Sequence, residues 1–142
     1  MILLDTNVLS ELMKSKPDKR VISWLDEQLA DTIFISAITR AEIESGIALL
    51  PKGQRKQKIE TAAQNMFAIF SNRCLTFGEM AAIQYGQLVA KRTRKGRPIT
   101  VEDAQIAAIA LAGGLQLATR NVKDFEEIPD LIVINPWRFT HK

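Results

Sequence analysis

Five short apolar runs punctuate this chain, and they decide its fold class. They are Ile2-Leu3-Leu4, Thr32-Ile33-Phe34-Ile35, Leu75-Thr76-Phe77, Leu115-Gln116-Leu117-Ala118 and Leu131-Ile132-Val133-Ile134. Runs this short and this continuously apolar describe strands buried on both faces. The segments between them carry apolar residues at helical spacing. Helices are expected over 8–13, around Val21, Trp24, Leu25 and Leu29, and over 37–50, 54–70, 79–95 and 101–112. Short buried strands alternating with helices define an α/β domain with a parallel sheet covered on both sides. The 142 residues suffice for one core, so residues 1–142 read as a single domain.

Composition narrows the chemistry. With 46% apolar and 25% charged residues the chain is an ordinary globular sequence, not a disordered one. Cys74 stands alone, which excludes an internal disulfide and a multi-cysteine zinc site. The single histidine is His141, one residue from the C-terminus, so a Ser-His-Asp triad or a paired-histidine metal site has nothing to build on. An enzyme made of this sequence works with carboxylates, hydroxyls, amides and basic groups. No apolar run is long enough to cross a membrane, and Met1-Ile2-Leu3-Leu4-Asp5 lacks the basic start of a signal peptide. A cytoplasmic protein with no membrane partner is expected. The net charge of +3 permits a nucleic-acid partner without requiring one.

In a parallel α/β sheet helices begin where strands end, and ligands bind at that carboxyl edge. Asp5 closes the first apolar run. Thr39-x-x-Glu42, Thr100-x-x-Asp103 and Asn121-x-x-Asp124 each have capping-box spacing, which places three more acids at helix starts on the same edge. Singly, each acid is adequately explained by the helix dipole, worth about 0.3–1 kcal/mol. Together they repel, and a divalent cation with oxygen ligands, Mg²⁺ or Mn²⁺, relieves the crowding. Glu42 lies about 200° from Glu44 on a helix and shares a side with Ile38, Ser45, Gly46 and Leu49, so it is the inward acid. Asp103 sits on the apolar side with Ile106 and Ala107, and is chosen over Glu102. Thr6, Ser36 and Thr119 fall at the same edge and read as capping or turn residues.

The motifs Leu3-Leu4-Asp5-Thr6-Asn7-Val8-Leu9, Ser36-x5-Glu42-x3-Gly46, Gly96-Arg97-Pro98-Ile99-x3-Asp103-x2-Ile106-Ala107-Ala108 and Ala118-Thr119-Arg120-Asn121-x2-Asp124-Phe125 occur in that order across the chain. In this the sequence resembles PIN-domain proteins, in particular the VapC-like toxins of type II toxin–antitoxin systems. The resemblance implies a PIN-like α/β/α sandwich with a five-stranded parallel sheet. It implies a Mg²⁺- or Mn²⁺-dependent endoribonuclease, usually a homodimer, silenced by a cognate antitoxin and meeting operator DNA only through it. Asp5, Glu42 and Asp103 match the family's first three acids. At the fourth position this chain has Asn121 where many relatives carry Asp, with Asp124 one turn later. The resemblance thus implies Asp5, Glu42, Asp103 and Asp124 as the catalytic set and Asp5, Glu42 and Asp103 as metal ligands, with Asp124 or Asn121 completing the site.

The basic stretch Lys91-Arg92-x-Arg94-Lys95-x-Arg97, beside the Asp103 loop, and Arg120 are the expected RNA contacts, with Arg94, Lys95, Arg97 and Arg120 foremost. The run from Lys52 to Lys58 reads as a solvated helix start. Two rival readings carry distinct requirements. A haloacid-dehalogenase-like phosphatase with Asp5 as nucleophile wants a second Asp at position 7, where Asn7 stands. A non-catalytic receiver domain wants a phosphoacceptor Asp on the third strand, and residues 74–78 offer none. A catalytically silent PIN module kept for partner binding uses the same residues without turnover.

Overall fold

Residues 1–140 are described by the structure, a computed structural model; His141 lies outside them. Strand alternation in the first run decides the layers. Ile2 and Leu4 of β1 (Ile2–Leu4) enter one core with Val8, Leu9, Trp24, Ile43 and Phe67, while Leu3 enters the opposite core with Leu88, Ile106 and Leu117. β2 (Ile33–Ser36) divides likewise, Ile33 and Ile35 on one face and Phe34 on the other. Removing a leucine side chain from water stabilises the fold by about 2 kcal/mol, so these alternating residues tie each strand to both layers.

The sheet is entirely parallel, in the order β3-β2-β1-β4-β5, with β3 at Cys74–Leu75, β4 at Gln116–Ala118 and β5 at Val133–Ile134. Leu3 pairs with Phe34 on one side and Leu117 on the other, which makes β1 the central strand. One core packs beneath α1 (Thr6–Leu12), α2 (Lys19–Asp26), α3 (Ala37–Ala48) and α4 (Gln54–Ile69). The other packs beneath α5 (Glu79–Arg94) and α6 (Val101–Gly113). α6 is buried almost all round because it lies against both the sheet and α5. Gly114 ends it in the left-handed conformation, φ 66°, where a side chain would be strained. The result is the expected α/β/α sandwich.

From β1 the chain builds β2 and β3 to one side and β4 and β5 to the other. The connections diverge at the carboxyl end of β1, which opens a crevice there. Asp5 stands at that point.

Several boundaries differ from the sequence reading. The first helix begins at Thr6, not Val8, because the Asp5 carboxylate caps it, accepting from the Thr6 N–H. α2 ends at Asp26, which leaves Leu29 outside it and exposed. α3 ends at Ala48, with Leu49 exposed. β3 and β5 are two-residue strands, shorter than their apolar runs. On α5, Ile83 faces outward and Ala81, Leu88 and Arg92 are the buried residues.

Candidate active site

Each functional side chain is placed by a strand end or the helix that follows it. Asp5 is 4% exposed, and its carboxylate accepts three hydrogen bonds. The Thr6 N–H donates to Oδ1 at 2.8 Å; the Thr119 hydroxyl and the Asn7 amide donate to Oδ2 at 2.7 and 3.3 Å. Burial pushes its pKa up, and these donors pull it down. Oδ1, with one donor, retains a lone pair for a further partner.

Thr119 follows β4 and is fully buried. Besides donating to Asp5 it accepts from the Asn7 amide at 3.2 Å and from the Asn121 N–H at 3.0 Å. Asn7 in turn accepts from the Arg120 N–H at 3.2 Å. The start of α1 and the segment after β4 are thereby one polar network.

Glu42 sits one turn into α3. The Thr6 hydroxyl donates to its Oε1 at 2.8 Å and lies 3.0 Å from the buried Thr39 hydroxyl. One hydroxyl has one proton, so Thr39 donates to Thr6 and Thr6 to Glu42. Desolvation raises the Glu42 pKa first, and the charges of Asp5 and Glu102 add to it. Asp103 lies in the first turn of α6, its N–H donating to the Thr100 hydroxyl at 3.2 Å. Its pKa rises to about 6, through desolvation first and then the charge of Asp5, with smaller contributions from Asp124 and Glu42.

Asp5, Glu42, Asp103 and Asn121 line one open cavity of about 430 Å³. Asp124 does not line it; it is exposed on the 3-10 turn Val122–Phe125, near enough for its charge to act on Asp5 and Asp103. No salt bridge engages Asp5, Glu42 or Asp103 among the described residues. Their hard oxygen donors are of the kind a divalent cation takes. Among the described residues no three such side chains form a ready-made metal cluster.

Parts of the sequence reading are corrected here. Ser36, not Thr39, caps α3, its hydroxyl accepting from the Thr39 N–H at 3.0 Å; the capping box at 39–42 does not form. The one at Asn121 does not form either, since Asn121 makes no side-chain cap and a 3-10 turn follows. Thr100 does cap α6. The buried side of α3 is Thr39, Ile43 and Ile47, not the side of Gly46 and Leu49; Glu42 reaches the cavity because Thr6 holds it there. Arg92 is no nucleic-acid contact. It is 5% exposed and donates to the carbonyls of Arg97, Asp124 and Glu126 at 2.8, 3.1 and 3.2 Å. Arg97 pairs with Glu127 at 3.0 Å and Glu126 at 4.0 Å. Arg94 and Lys95 are exposed and outside the cavity, whereas Arg120 lines it.

Sequence reasoning put Thr6 and Thr119 at this edge but read them as capping or turn residues; their hydroxyls instead donate to Glu42 and Asp5. It missed Glu11, Lys14 and Trp137 on the cavity wall, for which no motif speaks.

An acid-lined crevice at the carboxyl end of the central strand of an open parallel sheet defines an α/β protein with its site at the topological switch point. The PIN domain family model matches residues 2–131, and the chain belongs to that family. It is 40% identical over 138 residues to the VapC ribonuclease Y4jK of Sinorhizobium fredii, covering 96% of this chain and 98% of that one. It is 40% identical over 138 residues to Toxin FitB of Neisseria gonorrhoeae, covering 96% and 99%. The crystal structure of FitAcB from Neisseria gonorrhoeae superposes with a TM-score of 0.89 at 39% identity, covering 98% of this chain and 100% of that one.

Proposed function

We propose that the chain is a divalent-metal-dependent endoribonuclease and the toxin of a type II toxin–antitoxin pair. The observation that carries the reading is the set of three carboxylates outside any salt bridge among the described residues, Asp5, Glu42 and Asp103, lining one cavity at the switch point of the sheet. The PIN fold, the VapC ribonuclease relative and the FitB toxin relative support the RNA substrate and the toxin role.

PIN-domain ribonucleases generally depend on divalent metal. Mg²⁺ or Mn²⁺ is the ion expected from an all-oxygen donor set. Asp5, Glu42 and Asp103 would hold it, with Asp124 and Asn121 completing the set. When bound, such an ion lowers the pKa of water and offsets charge in a phosphorane-like transition state. The chain's own residues do the rest. Three donors fix the Asp5 carboxylate in place. The Thr39–Thr6 hydroxyl pair aims Glu42 into the cavity. Partial burial and the charge of Asp5 raise the Asp103 pKa to about 6, so protons compete with a cation there below neutral pH. No histidine is required.

By the same reading the protein works in the cytoplasm as a single-domain homodimer. A small antitoxin covers the acid pocket, and operator DNA is met only through that antitoxin. Expression in a bacterial host without an antitoxin tests the whole proposal. Growth arrest with accumulation of discrete RNA fragments, both absent for Asp5→Asn, is the expected result. Unimpaired growth and intact RNA at high expression would contradict it.

A further inference from the structure

The cavity is not lined by acids alone: Ser10, Glu11, Lys14, Arg120 and Trp137 share it with Asp5, Glu42 and Asp103. Trp137 is buried, in the 3-10 turn Pro136–Arg138, and the Arg120 guanidinium stacks over its ring at 5.1 Å from the centroid. The Arg120 backbone is fixed as well, through the Asn7 side chain. An arginine held at both ends has little rotamer freedom left to lose on binding. Its guanidinium nevertheless donates to no acceptor among the described residues. Asp18, the carboxylate that feels its charge, is taken by Arg20 in a two-point pair at 2.8 and 3.1 Å.

Lys14 is anchored by Glu11, Nζ to Oε1 at 2.9 Å, and keeps two unspent ammonium donors. The second Glu11 oxygen accepts from the Asp18 N–H at 2.9 Å, so both oxygens of this buried acid are engaged. Glu11, Lys14 and Arg120 together carry one net positive charge beside these carboxylates.

We infer that Arg120, over the Trp137 ring, and Lys14 form a phosphate subsite for the nucleotide next to the scissile bond. The inference rests on the ribonuclease reading and deepens it. The carboxylates take the reacting phosphodiester, and the two cations take its neighbour in the same strand. A planar guanidinium with free edges suits a phosphate in two-point contact. The preferred substrate is then an RNA with at least two consecutive phosphodiesters.

The test uses a fluorescently labelled single-stranded RNA ten-mer, bound in EDTA over a series of salt concentrations, with the parent, Arg120→Gln and Arg120→Lys. Arg120 is exposed, so these variants leave the core intact. Arg120→Gln is expected to weaken binding about tenfold and to flatten the salt dependence by about 0.7 in slope, one phosphate contact on a single strand. Arg120→Lys keeps the slope and loses part of the affinity. With divalent ion present, the parent should cut a trinucleotide with two phosphodiesters better than a dinucleotide with one. Arg120→Gln should erase that preference through KM rather than kcat. Equal salt slopes in parent and Arg120→Gln, or equal cleavage of the two substrates by the parent, would overturn the subsite. No cleavage of either substrate with divalent ion, together with a flattened slope in Arg120→Gln, would overturn the ribonuclease reading and leave Arg120 as a phosphate contact outside any cleavage site.

Discussion

The Thr119 hydroxyl, 114 residues from Asp5 in sequence, donates to the Asp5 Oδ2 at 2.7 Å inside the protein. The contact joins the ends of the two strands that flank the crevice, β1 and β4. It also links the site's most buried acid to the loop carrying Asn121.

Thr119→Val keeps the shape of that side chain and removes the hydroxyl. The Asp5 carboxylate then loses its shortest donor, and the Asn7 amide and Asn121 N–H lose an acceptor. A stability loss of about 1–3 kcal/mol is expected, along with roughly tenfold weaker divalent-ion binding. Calorimetric Mn²⁺ titration below the melting temperature of both proteins reads the second effect. Unchanged affinity would show that Thr119 does no more than pack.

Protons compete with the cation at Asp103. Its pKa of about 6, raised by burial and by Asp5, means that the ionised form is disfavoured in the folded protein. Divalent-ion affinity should therefore rise between pH 5 and 7 and level off above. Without metal the sign reverses. A raised folded-state pKa contributes stability at low pH that is lost as pH rises through about 6. The metal-free protein should melt higher at pH 5 than at pH 7.5, since Glu11 and Asp18, whose pKa values are lowered, stay ionised across that window. A melt that is flat in pH, with affinity equally flat, would contradict the pocket electrostatics.

The fourth acid separates charge from contact. Asn121 lines the cavity and brings a neutral amide; Asp124 does not line it, but its charge acts on both Asp5 and Asp103. A hard dication favours the charged group. Asp124→Asn should weaken divalent-ion affinity more than Asn121→Ala does, measured by titration at a temperature where both are folded. The opposite order would assign the position to the Asn121 carbonyl oxygen.

Arg92→Gln distinguishes architecture from nucleic-acid contact. Arg92 ties the loop before α6 to the turn holding Asp124 through three carbonyls, from a buried position. Its loss should cost about 3 kcal/mol in stability. The salt slope of RNA binding should stay as in the parent. A flattened slope would restore Arg92 to the phosphate contacts.

Much of this arrangement is legible in the sequence, for physical reasons. Strands as short and apolar as Ile2–Leu4 have one environment open to them, and Asp5 directly after such a strand has to stand at the sheet's carboxyl edge. Thr100 and Asp103 announce themselves because capping is local chemistry. Position 39 misleads for the same reason: Ser36 and Thr39 both suit a helix start, and the end of β2 decides between them. Arg92 looks like its basic neighbours, because burial of one charge in a run is a tertiary fact. Trp137 and Lys14 reach the cavity only when α1 and the C-terminal turn come together, and no spacing rule encodes that meeting.

Cleavage of an end-labelled RNA by one purified preparation, with Mg²⁺ or Mn²⁺, after EDTA, and after the ion is restored, tests the central claim most directly. Asp5→Asn serves as the parallel control. Cleavage should stop in EDTA and return with the ion, and Asp5→Asn should remain inactive in all three conditions. Equal cutting in EDTA, or activity in Asp5→Asn matching the parent, would contradict a carboxylate-held metal as the source of the chemistry.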